Sequence, residues 1–424
     1  MPPDGASIEA RYRAQTPMSE RTMQRASRSM VRGLTRSLSW FAPYPVVFDH
    51  GAGAILTDVD GNEYVDLFGN GLSVIHGHAH PPIVEALTAA LQRGTAWPGA
   101  SDAQIEFAEL LCARIGADAV RFANTGTEAT MLGVKLARSV TGRPVIIKGW
   151  HAYHGSYDDL EAGLQGQAEV PGRVALATFG ELDSYAAALE RNAGQVAAII
   201  VEPVQYTGLV TTPPPGFLPA LRELARDAGV LFVLDDCLMF RLAEGGSAER
   251  FGIDADITCL GKWIGGGLPV GAVLASSELM SVFDPLSPDA QYHGGSFNGN
   301  LLGSVAGRIA VASLTASEID RIDGLADAMR LEIEAAAREA ELPVRTSGVG
   351  SAFGLYVLDA RDGEVDHEGS ALLHLAAVTH GVYYGSGGEF GLTTAMDDAL
   401  TQRALSSLRA AIADVASERV TVAR

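Results

Sequence analysis

The sequence has few cysteines and no long apolar segment. Of its 424 residues only three are cysteine, Cys112, Cys237 and Cys259, and their spacing matches no metal-binding pattern. A chain of this size does not need disulfides to hold its core, so a reducing cytoplasm is the simplest compartment. No uninterrupted apolar run approaches the roughly 18 residues of a membrane span, and the first residues lack a signal-peptide core. We therefore expect a cytoplasmic protein that is neither exported nor anchored.

Basic side chains are scarce relative to acidic ones. There are 31 lysines and arginines against 51 aspartates and glutamates, which gives a formal net charge of -20. This balance argues against nucleic acid or an anionic membrane as the partner. Seven arginines between residues 11 and 36 resemble a transit peptide or a nucleic-acid arm, but interspersed acidic residues favour a solvated helix. We expect Ser19 to cap this helix, which would end at Gly33.

Short apolar strands alternate with helical patterns between about residues 100 and 310. This alternation is typical of a parallel α/β sheet, whose ligands bind at the carboxyl ends of the strands. Strands are expected at residues 119–123, 144–148, 196–201 and 230–234, a hairpin around Asp60 and Gly61, and a later strand at 352–357. We predict an N-terminal arm with part of a small domain (residues 1–75), a large domain (76–310) and a C-terminal small domain (311–424).

One lysine has an unusual sequence environment. Lys262 lies between the apolar run that ends at Leu260 and a triple glycine, Gly265 to Gly267. Poor hydration favours the neutral, nucleophilic amine, and glycines let backbone approach closely. Taken alone, the pattern is more typical of a strand end followed by a turn.

Three further features give this lysine a chemical context. Asp235 follows a buried strand, Gly126 and Thr127 open a helix whose free N–H groups can bind an anion, and Tyr153 offers an aromatic ring. Together these groups suit pyridoxal 5'-phosphate. The aldehyde of this cofactor needs an amine, and its pyridine nitrogen needs a carboxylate. Its ring needs an aromatic stacking partner, and its phosphate needs an anion site.

A histidine-rich segment is the other conspicuous motif. His76, His78 and His80 alternate with small residues, but this spacing matches no standard zinc pattern. We therefore predict no metal site.

At these positions the chain resembles the class III aminotransferases of the fold-type I pyridoxal-phosphate enzymes. The likeness is greatest to the branch of glutamate-1-semialdehyde aminomutase and beta-phenylalanine aminotransferase, and it extends over about residues 36–398. The matching stretches lie at residues 58–64, 77–78, 124–131, 153–155, 202–204 and 260–267. The resemblance implies a large domain with a mostly parallel sheet and a smaller α+β domain.

The resemblance also implies roles for individual residues. Lys262 would be the catalytic Schiff-base lysine, Asp235 the partner of the pyridine nitrogen, and Tyr153 the stacking aromatic. Gly126 and Thr127 would bind the phosphate. Ser296 stands where the family usually has a threonine that reaches the phosphate of the other subunit, which implies a homodimer with shared active sites.

Three residues are candidates for binding the substrate. Arg36 and Arg241 resemble arginines of the beta-amino-acid branch, and Arg36 is the better anchor for a carboxylate, although a plain surface arginine is the alternative. Glu389 resembles a substrate-facing glutamate of the aminomutase, or it is a surface loop residue. A second carboxylate-binding arginine of the beta-amino-acid enzymes is missing from residues 385–389.

The predicted activity is amino-group transfer. The two arginines favour an aminotransferase that acts on a β-amino or other unusual amino acid and on a keto acid. Glu389 favours an aminomutase instead, and a racemase would use the same cofactor contacts. A cofactor-binding protein without turnover is the remaining alternative.

Overall fold

The fold is described from a computed structural model that covers residues 6–422. The chain forms two compact units. The first runs to His80 and resumes at Asp320, and the second comprises Pro81–Ile319. The strands are β1 (Phe48–Ala52), β2 (Ile55–Asp58), β3 (Glu63–Asp66), β4 (Ala119–Ala123), β5 (Val145–Gly149), β6 (Val174–Ala177), β7 (Val196–Val201), β8 (Leu231–Asp235), β9 (Ile257–Leu260), β10 (Gly271–Ala275), β11 (Val344–Val349), β12 (Ala352–Val357), β13 (Val382–Tyr383) and β14 (Glu389–Gly391).

Helices connect and cover these strands. They are α1 (Ile8–Gln15), α2 (Pro17–Ala26), α3 (Gly69–Leu72), α4 (Pro81–Leu91), α5 (Asp102–Ile115), α6 (Gly126–Thr141), α7 (Leu182–Arg191), α8 (Phe217–Asp227), α9 (Gly246–Phe251), α10 (Ser277–Met280), α11 (Leu301–Ser313), α12 (Ala316–Glu339), α13 (His367–Thr379) and α14 (Asp398–Val422). None of those in the described part of the chain combines the length and the apolar character that a bilayer crossing requires.

The second unit is built on a mostly parallel sheet, as predicted. Across residues 81–319 seven strands pair in the order β4-β10-β9-β8-β7-β5-β6. Strands β9, β8, β7, β5 and β6 run parallel, and β10 is antiparallel to both of its neighbours. Helix α6 covers one face through Leu132 and Leu136, and α8 covers the other through Leu218 and Leu221. Adjacent strands in this sheet therefore end side by side, where ligands bind.

The first unit contains two small sheets in residues 6–80 and 320–422. One has the order β1-β2-β3-β13, with a hairpin turn at Asp60 and Gly61 as predicted, and the other has the order β11-β12-β14. Strand β12 occupies the predicted range. The Asp58 carboxylate closes the hairpin by accepting N–H bonds from Asp60 (2.9 Å) and Asn62 (2.8 Å).

The predicted N-terminal helix was wrong in its limits and in its exposure. Two helices replace it, α1 and α2, and α2 ends at Ala26. Ser19 lies inside α2 and is buried, and its hydroxyl donates to Asp60 (2.9 Å) and accepts from the Val47 N–H (3.2 Å). The arm is not fully solvated because Ile8 and Tyr12 lie in the core of the first unit.

The histidine motif serves structural contacts in the first unit. His78 Nε2 lies 2.6 Å from Asp66 Oδ2, His76 Nδ1 lies 2.9 Å from the Thr394 hydroxyl, and the rings of His76 and His80 stack at 4.9 Å. In residues 6–422 no three potential ligands converge as a metal ion would require.

Candidate active site

Three neighbouring strands of the second unit end beside one another and present ionisable side chains. Glu202 follows β7, Asp235 ends β8, and Lys262 comes two residues after β9. The pairing places Val201 opposite Leu234, and Asp235 opposite Cys259. The sheet register therefore brings together two carboxylates and an amine, the first and last of which lie 60 residues apart along the chain.

Lys262 begins a short 3₁₀ helix, Lys262–Gly265, directly after Gly261. Its backbone has φ of +53°, a conformation that residues other than glycine seldom adopt and that recurs at functional sites. The side chain is half-buried, and its positive charge lowers the pKa of Glu202 and of Asp235 relative to burial alone. The lysine is thus electrostatically coupled to both strand-end carboxylates.

The start of α6 packs against the same strand ends. Thr125 caps the helix, and its hydroxyl accepts the Glu128 N–H at 3.0 Å. The N–H groups of Gly126 and Thr127 belong to the first turn, which has no intrahelical acceptors, so they can bind an anion. A Cβ at Gly261 would lie 3.0 Å from Gly126 Cα, so the two segments pack closely and a side chain there would be crowded.

The segment after β5 is attached to this helix start and to Glu202. The Tyr153 N–H donates to Glu202 Oε2 (2.9 Å), and the Ser156 N–H donates to the Thr127 hydroxyl (3.2 Å). Gly155 has φ of +99°, and a Cβ there would lie 2.5 Å from Thr127 Oγ1. The main chain of this segment is thereby held next to the predicted phosphate site, and the Tyr153 side chain is exposed.

Asp235 is buried and pairs with His154. His154 Nδ1 lies 2.8 Å from Asp235 Oδ2, and the Cys237 N–H donates to Oδ1 at 3.2 Å. Burial, the largest single influence, would raise the pKa of Asp235. His154, the Cys237 hydrogen bond and the charge of Lys262 together outweigh it, so the pKa lies below its ordinary value. Burial lowers the pKa of His154, so a neutral imidazole donates to an ionised carboxylate. This arrangement maintains a negative charge at the end of β8.

Glu202 behaves differently from Asp235. Burial, together with the charge of Asp235, raises the pKa of Glu202 to about 8. Two carboxyl groups at adjacent strand ends therefore have opposite protonation preferences, which is typical of active sites.

Two other predicted site residues lie in the second unit. Ser296 is exposed in the segment between β10 and α11, beside Phe297, which is 61% exposed. Arg241 ends a short 3₁₀ helix, Met239–Arg241, and is buried. Arg241 is therefore not a surface arginine.

Arg36 and Glu389 belong to the first unit. Arg36 is exposed, and its guanidinium donates to the Ser39 hydroxyl (2.8 Å) and to Asn70 Oδ1 (2.6 Å). Glu389 begins β14 and is buried, which excludes the alternative of a surface loop glutamate. The loop before it is attached near Arg36, because Ser386 Oγ lies 3.3 Å from the Leu38 carbonyl oxygen.

The second-unit geometry fits pyridoxal 5'-phosphate. An ionised, buried Asp235 suits a protonated ring nitrogen, the N–H groups at the start of α6 suit the phosphate, and Lys262 supplies the amine. The chain packs closely around the helix start, since glycine is needed at position 155 and a side chain at position 261 would be crowded.

Comparison with known proteins decides the family. The model of class III aminotransferases matches residues 39–163 and 171–412. The chain belongs to the class III aminotransferase family. As predicted, it is a pyridoxal-phosphate-dependent aminotransferase-family enzyme with the α/β architecture of fold-type I.

Individual relatives place the chain within the class III aminotransferases. It is 35% identical over 407 residues to the glutamate-1-semialdehyde 2,1-aminomutase of Chloroflexus aurantiacus, covering 88% of this chain and 90% of that one. An omega-transaminase structure from Sphaerobacter thermophilus superimposes with a TM-score of 0.88 at 34% identity, covering 94% and 97%. The beta-phenylalanine aminotransferase of Variovorax paradoxus gives 0.88 at 28% identity, covering 98% of each chain.

Sequence reasoning assigned no role to His154 or Glu202. Both belong to matching stretches of this class III chain, and each has a recognisable signal. Glu202 directly follows an all-apolar strand, as Asp235 ends one, and His154 adjoins the predicted stacking residue. Their contacts with Asp235 and the Tyr153 N–H depend on the path of the loop after β5.

Proposed function

We propose that this enzyme is an aminotransferase that moves an amino group between an unusual amino acid and a keto acid, with β-amino acids as the favoured class. Arg36 carries the substrate part of the proposal. It is exposed and held by a hydroxyl and an amide oxygen, and within residues 6–422 it forms no ion pair with a carboxylate. A guanidinium held in this way keeps its full charge for a ligand carboxylate.

Lys262 is assigned the central catalytic role. It would bond covalently to the resting cofactor and, once displaced by the substrate amine, act as general acid and base. When bound, pyridoxal phosphate supplies an electron-withdrawing ring that stabilises negative charge on the reacting carbon.

The other second-unit residues would bind and orient the cofactor. Asp235 would hold a proton on the ring nitrogen, with the His154 N–H keeping its carboxylate oriented, and Tyr153 would pack on the ring face. Gly126 and Thr127 would bind the phosphate through the start of α6. Arg241 is proposed as a second residue that shapes the substrate region.

An aminomutase is the second candidate, and Glu389 favours it. This glutamate is buried, and its Oε2 has no hydrogen-bond partner within the described residues, while burial raises its pKa. A buried carboxyl group with an unused oxygen is suited to meet a polar substrate group. The 35% identical relative from Chloroflexus aurantiacus is named as an aminomutase.

A single-turnover experiment separates the candidates. An amine donor converts the purified enzyme to its amine-loaded form, which is recognised by loss of the absorption band of lysine-bound cofactor. An aminotransferase regains the band only when a keto acid such as pyruvate or 2-oxoglutarate is added. Turnover of a substrate without any keto acid contradicts the proposal, with amine migration indicating an aminomutase and simple inversion a racemase. Failure of every donor indicates a binder without turnover.

We also propose a homodimer with shared sites. The segment that carries Ser296 also exposes Tyr292 (83%) and Phe297 (61%), and large exposed aromatic side chains of this kind mark interaction surfaces. Light scattering gives the mass in solution. Ser296→Ala should weaken cofactor binding about tenfold, the effect of losing one hydrogen bond to a charged group, whereas Ser287→Ala in the same segment should not. A mass in solution equal to that of one chain contradicts the proposed homodimer.

A cytoplasmic location is proposed from the thiols. All three cysteines are free, and Cys237 and Cys259 are buried. Fractionation of the native host tests this, and recovery from a secreted fraction contradicts it.

A further inference from the structure

The chain has only three lysines, Lys135, Lys148 and Lys262, and one of them has no place in the chemistry above. Lys148 lies in β5, where its neighbours Ile146 and Ile147 are fully buried, and its own exposed fraction is 0%. An ammonium group in such a strand is costly unless every N–H finds an acceptor.

Lys148 satisfies that condition with backbone oxygens. Its Nζ donates to the carbonyl groups of Ala152 (2.8 Å), Leu160 (2.6 Å) and Ala162 (2.7 Å). An ammonium has three donors, and all three are used. Within residues 6–422 no carboxylate lies within ion-pair distance of it, so its bonds act on the path of the main chain.

The three acceptors enclose a segment that supplies the wall of the cofactor site. We call residues 152–162 the clamped segment. It begins one residue before Tyr153. The Tyr153 N–H contacts Glu202, and the imidazole of the next residue, His154, contacts Asp235. The carbonyl groups of Leu160 and Ala162 lie 8 and 10 residues after that of Ala152. Because all three bind one cation, the segment is closed into a loop at the end of β5.

The protonation state agrees with this geometry. Burial lowers the pKa of Lys148 to about 8, while the neighbouring carboxyl groups of Glu202 and Asp235 oppose that shift. The amine is therefore still mainly an ammonium at pH 7, with three protons to donate.

We propose that Lys148 is a positioning residue that fixes the clamped segment, so that Tyr153 and His154 already face the cofactor site before the cofactor binds. The inference rests on the proposed placement of pyridoxal phosphate at Lys262. Lys148 touches neither cofactor nor substrate and acts only through the main chain of the segment.

The first test compares two cation removals. Lys148→Met leaves three buried carbonyl groups without a donor. Arg114→Met is the matched control, because Arg114 also donates to three main-chain carbonyl groups, those of Glu244, Val311 and Leu314. Lys148→Met should weaken the affinity for pyridoxal phosphate at least tenfold and reduce the visible circular dichroism of bound cofactor. Arg114→Met should lower Tm without either effect. If Lys148→Met lowers Tm alone, the proposal is overturned.

Hydrogen exchange supplies a second test, and its decisive arm uses the wild-type chain alone. Stripped of cofactor, the clamped segment should stay protected, and Lys148→Gln, which keeps two N–H donors, should show intermediate protection. Rapid exchange of the segment in the cofactor-free wild type overturns the proposal, even if Lys148→Met does not fold. A missing cofactor adduct on Lys262 would defeat the proposed function, whereas unchanged affinity in Lys148→Met with that adduct present defeats only this inference.

Discussion

The His154 imidazole donates from Nδ1 to Oδ2 of Asp235 over 2.8 Å, with both groups buried at the end of β8. The relation explains how a carboxylate stays ionised inside the sheet. Burial opposes the charge, and the imidazole, which contributes most among the groups that favour it, offsets burial together with the Cys237 hydrogen bond and Lys262. A family resemblance alone identifies Asp235, but only the structure shows what keeps it charged.

The first prediction concerns this pair. His154→Phe removes the donor, and the rate of the amine-donor half-reaction should fall about tenfold to a hundredfold, corresponding to roughly 1.5–3 kcal/mol for a hydrogen bond to a charged group. Because burial then dominates the pKa of Asp235, the acid limb of the rate profile should move to higher pH. His154→Asn places an amide donor near the Nδ1 position and should recover most of the rate. An unshifted profile in His154→Phe would refute the role assigned to the pair.

The second prediction concerns Arg36. Arg36→Met should raise KM for an amine donor that bears a carboxylate about tenfold or more, since a charge-assisted hydrogen bond is lost, and should leave kcat nearly unchanged. An amine without a carboxylate should react as with the wild type. Arg28→Met, at another exposed arginine of the same region, is the control. Equal effects on both amines would show that Arg36 does not bind the carboxylate.

The third prediction concerns acid stability. His374 is buried among Phe41, Tyr383 and Tyr384, neither ring nitrogen has a partner within the described residues, and burial lowers its pKa to about 3. At pH values below the ordinary histidine pKa of 6.5, the unfolded chain therefore binds a proton at this residue, whereas the folded chain does not. Stability from this group is lost as pH falls below that value, by about 1.4 kcal/mol per unit.

Urea unfolding at pH 7 and pH 5 measures that loss. The wild-type free energy of unfolding should fall more steeply with acid than that of His374→Phe, which cannot take up the proton. His50→Phe changes an exposed histidine and should keep the wild-type slope. Parallel slopes for the wild type and His374→Phe would contradict the buried-histidine account.

The sequence predicted those parts of the site whose position follows from strand order. Asp235 and Lys262 each come after an apolar run, so parallel pairing alone brings them together. Strand β10 was not predicted because it follows the glycine-rich turn directly, and its antiparallel direction has no local signal. The contacts of His154 and Lys148 depend on the path of the loop after β5, which no local pattern encodes.

The N-terminal arm shows the same limit. Ser19 has the composition of a helix cap, but its hydroxyl bonds to Asp60, 41 residues away along the chain. Glu389 looked equally suited to a surface loop, but in the structure it is buried in β14, which pairs with β12. In both cases tertiary contacts overrode local preference.

The covalent attachment of the cofactor tests the account most directly, and the small number of lysines makes the result unambiguous. Borohydride reduction of the purified holoenzyme, followed by peptide mass spectrometry, should place a phosphopyridoxyl group on the peptide that contains Lys262. The peptides with Lys135 and Lys148 should be unmodified. A group on either of those lysines, or none on Lys262 in protein that carries the cofactor, would contradict the central claim.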